Sequence, residues 1–154
     1  MNEDGRRGFT LLEMVCVLAI IAMLSAVLLP LIPRQTSRAR LQAYALEAAA
    51  LLKSDRAASI RRRVEVATLI DTSTRTVRSG VGAAVLRVPD DVDFAALLPR
   101  SCNQRPNFST INFFPDGLSC GGAITLARAD LRLEIRVNWL TGRTDIVARP
   151  YASN

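Results

Sequence analysis

The residue whose setting most demands a chemical reason is Glu13. It follows Gly5-Arg6-Arg7-Gly8 and Phe9-Thr10-Leu11-Leu12, and from Met14 to Leu29 the only polar side chain is Ser25. A carboxylate at the head of such a run faces a cost of roughly 2.5–3.5 kcal/mol if carried into a bilayer, so acids there usually have a task. The bland alternative is an incidental acid at the mouth of an ordinary anchor. Glu13 is read here as an assembly contact and not as a catalytic acid. No other position offers catalytic chemistry. The chain has no histidine, which removes the commonest general base, the usual zinc ligand and every Ser-His or Cys-His pairing.

The remaining candidates are few. Three cysteines are present, too few for an all-cysteine tetrahedral zinc site. Cys16 lies in the apolar run, where a thiol behaves as a small hydrophobe. Cys102 and Cys120 lie in the distal half and are eighteen positions apart. In an oxidising compartment they can form a disulfide, stabilising the fold by about 3 kcal/mol on chain-entropy grounds; two buried free thiols is the alternative. Asp90-Asp91-Val92-Asp93 offers oxygen ligands but lacks the glycine turn and terminal glutamate of a loop calcium site. Gly121-Gly122 lacks the strand-then-helix setting of a phosphate loop. No metal or cofactor is expected. The formal charge is +6, almost all from arginine, with Lys53 the only lysine. The arginines are scattered and no aromatics interleave with them, so no nucleic-acid partner is expected.

Positioning begins with the apolar run. Phe9 to Ile32 is 24 residues, against the roughly 20 that a spanning helix needs and the 7–15 of a signal-peptide core. The natural processing site lies before the run, after Gly8, whose missing side chain fits a tight protease subsite. Arg6 and Arg7 favour a cytoplasmic leader, although Arg34, Arg38 and Arg40 follow the run and tip the count the other way. Past the membrane, Leu41, Tyr44, Ala45, Ala48, Leu52 and Asp55 recur at helical spacing. Pro30 and Pro33 bend the path, giving one kinked helix from about Phe9 to Arg62, with two hinged helices as the alternative. From Val64 short β-rich runs follow: 64–70, 74–78, 83–88, 110–114, 123–127, 131–139 and 144–148. Period-two alternation over 131–139 places Trp139 on the apolar, core face, and Thr141-Gly142-Arg143 reads as a tight hairpin turn. The expected divisions are a leader at 1–8, a transmembrane segment at 9–33, an amphipathic continuation at 34–63 and a β-rich periplasmic region at 64–154.

Gly8-Phe9-Thr10-Leu11-Leu12-Glu13, followed by an apolar run with Pro30, resembles the type IV pilin-like proteins. That resemblance implies cleavage by prepilin peptidase between Gly8 and Phe9, N-methylation of Phe9 and an assembly role for Glu13. The implied fold is α+β, with a long amino-terminal helix packed against an antiparallel β-domain. Ile111-Asn112-Phe113-Phe114-Pro115-Asp116-Gly117-Leu118-Ser119-Cys120-Gly121-Gly122 and Ile135-Arg136-Val137-Asn138-Trp139-Leu140-Thr141-Gly142-Arg143, with the turn Val88-Pro89-Asp90-Asp91-Val92, are similar to the H-class minor pseudopilins of type II secretion. Cys120 departs from the small polar residue usual in that glycine-rich turn.

Membership implies a structural, non-enzymatic subunit in the inner membrane, with its distal domain in the periplasm. It would act at or near the tip of a short filament, helping to start assembly and export folded proteins. The implied partners are prepilin peptidase, other major and minor pseudopilins, the inner membrane and secreted cargo. Minor type IV pilins that prime pilus assembly, or serve DNA uptake, are the alternative.

Overall fold

The computed structural model describes residues 10–28 and 36–150. Gly8, Phe9, Pro30, Pro33 and Arg34 therefore lie outside the described residues. The chain divides after Gln35 into two compact units.

The first unit contains α1 (Leu11–Leu28). Thr10 opens it: the Glu13 backbone nitrogen donates to the Thr10 carbonyl at 3.0 Å and to Thr10 Oγ1 at 3.3 Å. Ser25 Oγ donates to the Ile21 carbonyl at 2.8 Å. The one polar side chain of the apolar run thus finds its partner inside the helix, as a lipid setting would require. Large apolar side chains are exposed all round α1, from Leu11 and Leu12 to Met23 and Leu24, so it has no separate polar face. Among the described residues no helix is long and apolar enough to cross a membrane. The described α1 has 18 residues, about 27 Å at 1.5 Å per residue, and the expected segment 9–33 runs past both its ends.

The second unit begins with α2 (Arg38–Arg62). Ser37, extended at φ −76° and ψ 164°, caps it by accepting from the Arg40 backbone nitrogen. A helix continuous from Phe9 to Arg62 is thereby corrected, since a side-chain cap of this kind starts a new helix. Arg63 closes α2 in the left-handed region, its N–H bonded to the Ser59 carbonyl.

Ten strands follow: β1 (Val66–Asp71), β2 (Thr76–Arg78), β3 (Val85–Arg87), β4 (Asp93–Leu97), β5 (Ser101–Cys102), β6 (Arg105–Pro106), β7 (Thr110–Phe113), β8 (Gly122–Arg128), β9 (Leu131–Val137) and β10 (Thr144–Pro150). They form one antiparallel sheet of order β3-β2-β1-β7, a second of order β10-β9-β8-β4, and a two-stranded β5-β6 ribbon. The apolar stripe of α2 lies over both larger sheets. Leu41, Ala45, Ala48 and Leu52 join Ile70, Val77, Ile111 and Phe113 of the first sheet and Ile124, Leu126, Leu133 and Ile135 of the second. The expected strands all occur with shifted ends, while β4, β5 and β6 were not expected. Asp93-Phe94-Ala95-Ala96-Leu97 has little β propensity, and its pairing with Ala123–Ala127 overrides that local weakness.

Asp55 is fully buried on the α2 stripe. Its carboxylate accepts from Thr68 Oγ1 at 2.7 Å, Ser79 Oγ at 2.5 Å and the Gly80 nitrogen at 2.9 Å. One buried acid thus ties α2 to β1 and to the loop after β2, and its three donors satisfy it without a cation.

Asp91 plays a similar part at the start of the unit. It accepts from the Thr36 nitrogen at 2.7 Å and Thr36 Oγ1 at 2.9 Å, and lies 3.1 Å from the Arg128 guanidinium. The Thr36 N–H, then its hydroxyl and the Arg128 charge, hold the Asp91 carboxyl below the ordinary carboxylate range. A depressed folded-state pKa contributes stability above the unfolded value, about 3.9, that is lost as pH falls through the folded value. Thermal melts of wild type and Asp91→Asn across the acid range should show the wild-type advantage shrinking as the medium becomes more acidic. Parallel curves would remove Asp91 from the acid response.

Candidate functional site

Glu13 sits in the first turn of α1. The bond to Thr10 comes from its backbone nitrogen, so its carboxylate is not the cap of its own helix. The described residues bring no other expected site residue beside it, because Gly8 and Phe9 lie outside them.

A second locus forms where the two distal motifs meet. Arg56 Nε, from α2, donates to the Gly117 carbonyl at 3.0 Å, and Ser59 Oγ donates to the Phe114 carbonyl at 3.0 Å. The Ser119 nitrogen donates to the Trp139 carbonyl at 3.0 Å. Gly142, at φ +61°, approaches so closely that a Cβ there would lie 2.1 Å from the Gly117 oxygen and 2.6 Å from Arg56 Nε. Phe114–Ser119 and Asn138–Gly142 are therefore two sides of one backbone junction, locked by α2. Arg56 was missed from the sequence. Its only signal was a place beside Asp55, and nothing in the pattern paired it with a loop 61 positions away.

The same junction corrects two expectations. Trp139 is 66% exposed and not in the core. β9 ends at Val137, and Asn138 then turns the chain, its Oδ1 accepting from the Leu140 and Thr141 nitrogens. The alternation stops before the tryptophan is reached. The connection is also longer than a tight turn, closed by the Asn138 nitrogen on the Arg143 carbonyl and the Gly142 nitrogen on the Asn138 carbonyl.

Cys102 and Cys120 are bridged, with Cα atoms 5.6 Å apart. The bond ties the β5-β6 ribbon to the turn that leads into β8. Beside it an open groove of 740 Å³ runs over the second sheet, lined by Leu97, Pro99, Gly122, Arg136, Trp139 and Val147 among others. Arg136 donates to Glu134 at 2.8 Å, and that hydrogen bond, with the charges of Arg136, Arg149 and Arg132, holds the Glu134 carboxyl below its ordinary range. A groove of this make-up offers apolar contact and no poised acid, base or nucleophile. Among the described residues no group of three histidine, cysteine or acidic side chains could hold a metal ion. Asp91, one of the oxygen ligands that the Asp90-Asp91-Val92-Asp93 run offers, is engaged with Thr36 and Arg128.

An apolar helix headed by one carboxylate and a capped helix laid across antiparallel sheets define the class of pilin-like proteins. Residues 4–29 match the prokaryotic N-terminal methylation motif. The second comparison is of fold: the crystal structure of the type IV minor pilin FimU of Pseudomonas aeruginosa matches with a TM-score of 0.51 at 16% identity, covering 73% of this chain and 91% of that one. Type II secretion system protein H of Xanthomonas campestris is 30% identical over 136 residues, spanning 88% of this chain and 80% of that protein. The chain belongs to the type II secretion protein H family, the H-class minor pseudopilins.

Proposed function

We propose that this chain is a structural, non-enzymatic subunit at or near the tip of a secretion pseudopilus, where it helps to start assembly and to export folded proteins. The observation that carries the reading is the head of α1: a lone carboxylate, Glu13, in the first turn of a helix that is apolar on every side. Such a helix is stored in a membrane and then packed among similar helices. Prepilin peptidase would remove residues 1–8 by cutting between Gly8 and Phe9, and Phe9 would be N-methylated. Residues 9–33 would span the inner membrane. Residues 34–63 continue toward a periplasmic region at 64–154, an oxidising setting in which the Cys102–Cys120 bridge persists. Other major and minor pseudopilins are the partners for α1, and secreted cargo is a partner for the distal domain.

Intact-mass spectrometry of the chain purified from a peptidase-competent host tests the processing on which this depends. A mature chain beginning at Phe9 with one added methyl group is expected. A chain still beginning at Met1 or Asn2 would contradict it.

A further inference from the structure

Several arginines of the second unit answer acids: Arg38, Arg75, Arg128, Arg136 and Arg143 each form an ion pair. The run Arg61-Arg62-Arg63 does not. Its three residues are exposed, and among the described residues none of them joins an ion pair or a side-chain hydrogen bond. Arg61 and Arg62 end α2, where the helix dipole favours cations. The dipole does not explain Arg63, which takes a left-handed backbone at φ 55°, where glycine or asparagine sits at lower cost. Glu65 and Asp116 lie at the same end, yet Arg56 and the run outnumber them and leave it positive. Apolar side chains gather beside these charges. Ile60, next to the run, is exposed, as are Leu118, Trp139 and Leu140 from the two loops that meet at Gly117. A Cβ at Gly117 would lie 3.2 Å from Ile60 Cδ1, and the Ser119 bond to the Trp139 carbonyl holds the second loop to the first.

We infer that the end of α2 and these two loops form a docking surface for an acidic, amphipathic segment of a partner protein. Guanidinium groups bind carboxylates through paired N–H donors, and apolar side chains of the same segment would cover Ile60, Trp139 and Leu140. Tryptophan and arginine are the residues that most often carry the binding energy of protein interfaces. Composition also favours a protein over nucleic acid or a layer of lipid headgroups. Trp139 alone makes no stacking row for bases. Asp116, exposed in the Gly117 loop, repels a continuous array of phosphates, whereas a protein can leave it in water. Every residue of this surface lies in the second unit, so the docking is independent of how α1 is processed or anchored.

Trp139 is the chain's single tryptophan, so its emission reports on this surface without a label. The full chain in nonionic detergent is titrated with a helical peptide that carries glutamates on one face and leucines on the other. A saturating blue shift of the Trp139 emission is expected, weakening as salt is raised. Arg61→Gln with Arg62→Gln should weaken binding about tenfold, at about threefold per exposed pair. Arg61→Lys with Arg62→Lys should retain most of the affinity, since the charges remain. An equal shift with a peptide in which glutamine replaces glutamate would overturn the inference, as would unchanged affinity in the glutamine double variant. A shift with oligothymidylate, or with phosphatidylglycerol added to the micelles, and none with the peptide would assign the surface to nucleic acid or lipid and overturn it too. No shift with any of these probes would leave Trp139 uncovered and overturn docking at this end outright.

Discussion

Replacing Glu13 with leucine should leave the chain inserted and trimmed, yet reduce its recovery with partner pseudopilins at least tenfold. Leucine is far easier to place in a bilayer than a carboxylate, by about 3 kcal/mol on insertion scales, so insertion cannot be what the acid serves. Nor is it the helix cap, since Thr10 provides the acceptors for the first turn of α1. What remains is a counter-charge. After cleavage the new amino terminus would stand at Phe9, four positions before Glu13. A neighbouring subunit shifted along the filament could bring its own amine to this carboxylate, offsetting the cost of burying both charges. The same spacing also permits pairing within one chain, and Glu13→Asp does not distinguish the two arrangements. It should assemble partly, because the shorter side chain still carries the charge. Co-purification of tagged variants from membranes is the measurement. Full assembly by Glu13→Leu would show the carboxylate to be dispensable, as it would be for a subunit with no partner above it.

Gly142→Ala should destabilise the second unit by about 3 kcal/mol or more, a value in the tail that marks a specific structural conflict. Two costs combine. A left-handed backbone is unfavourable for alanine by roughly 1–2 kcal/mol. The new Cβ would also meet the Gly117 carbonyl at 2.1 Å and Arg56 Nε at 2.6 Å, so a backbone segment must move and the Arg56–Gly117 bond with it. Gly82→Ala is the control, because nothing lies within 4 Å of its added Cβ, and it should stay within about 0.5 kcal/mol of wild type. Denaturant unfolding of both variants reads the difference directly. Near-equal stabilities would mean that the two loops are not in the contact described.

The α2 stripe and seven of the strands were legible because each rests on local periodicity or a β-rich run, and the α+β class is what the family resemblance implied. Even Asp55 was visible, as an acid at a core spacing, although its partners Thr68 and Ser79 were not, since they come from β1 and the loop after β2. β4 was hidden because its pairing with β8 is decided by tertiary contact and not by its own residues. Trp139 was misplaced for a related reason: alternation says nothing about where a strand stops, and Asn138 stops this one two residues early. The motifs Phe113–Gly122 and Ile135–Arg143 could be read as similar to a family, but not as neighbours. Their meeting at Gly117 and Gly142 depends on α2 and Arg56, a contact without a sequence period. The break at Ser37 was open to reading in principle, since a serine before an amphipathic run is an N-cap signal, but the prolines drew the reading toward a kink.

Deleting the gene for this chain in its host, and scoring exported protein beside pilus-driven motility, tests most directly whether it serves secretion. Folded proteins that normally reach the medium should be retained in the periplasm, motility should be unchanged, and the wild-type chain should restore export. Normal export together with lost piliation would contradict that assignment and place the chain in a type IV pilus.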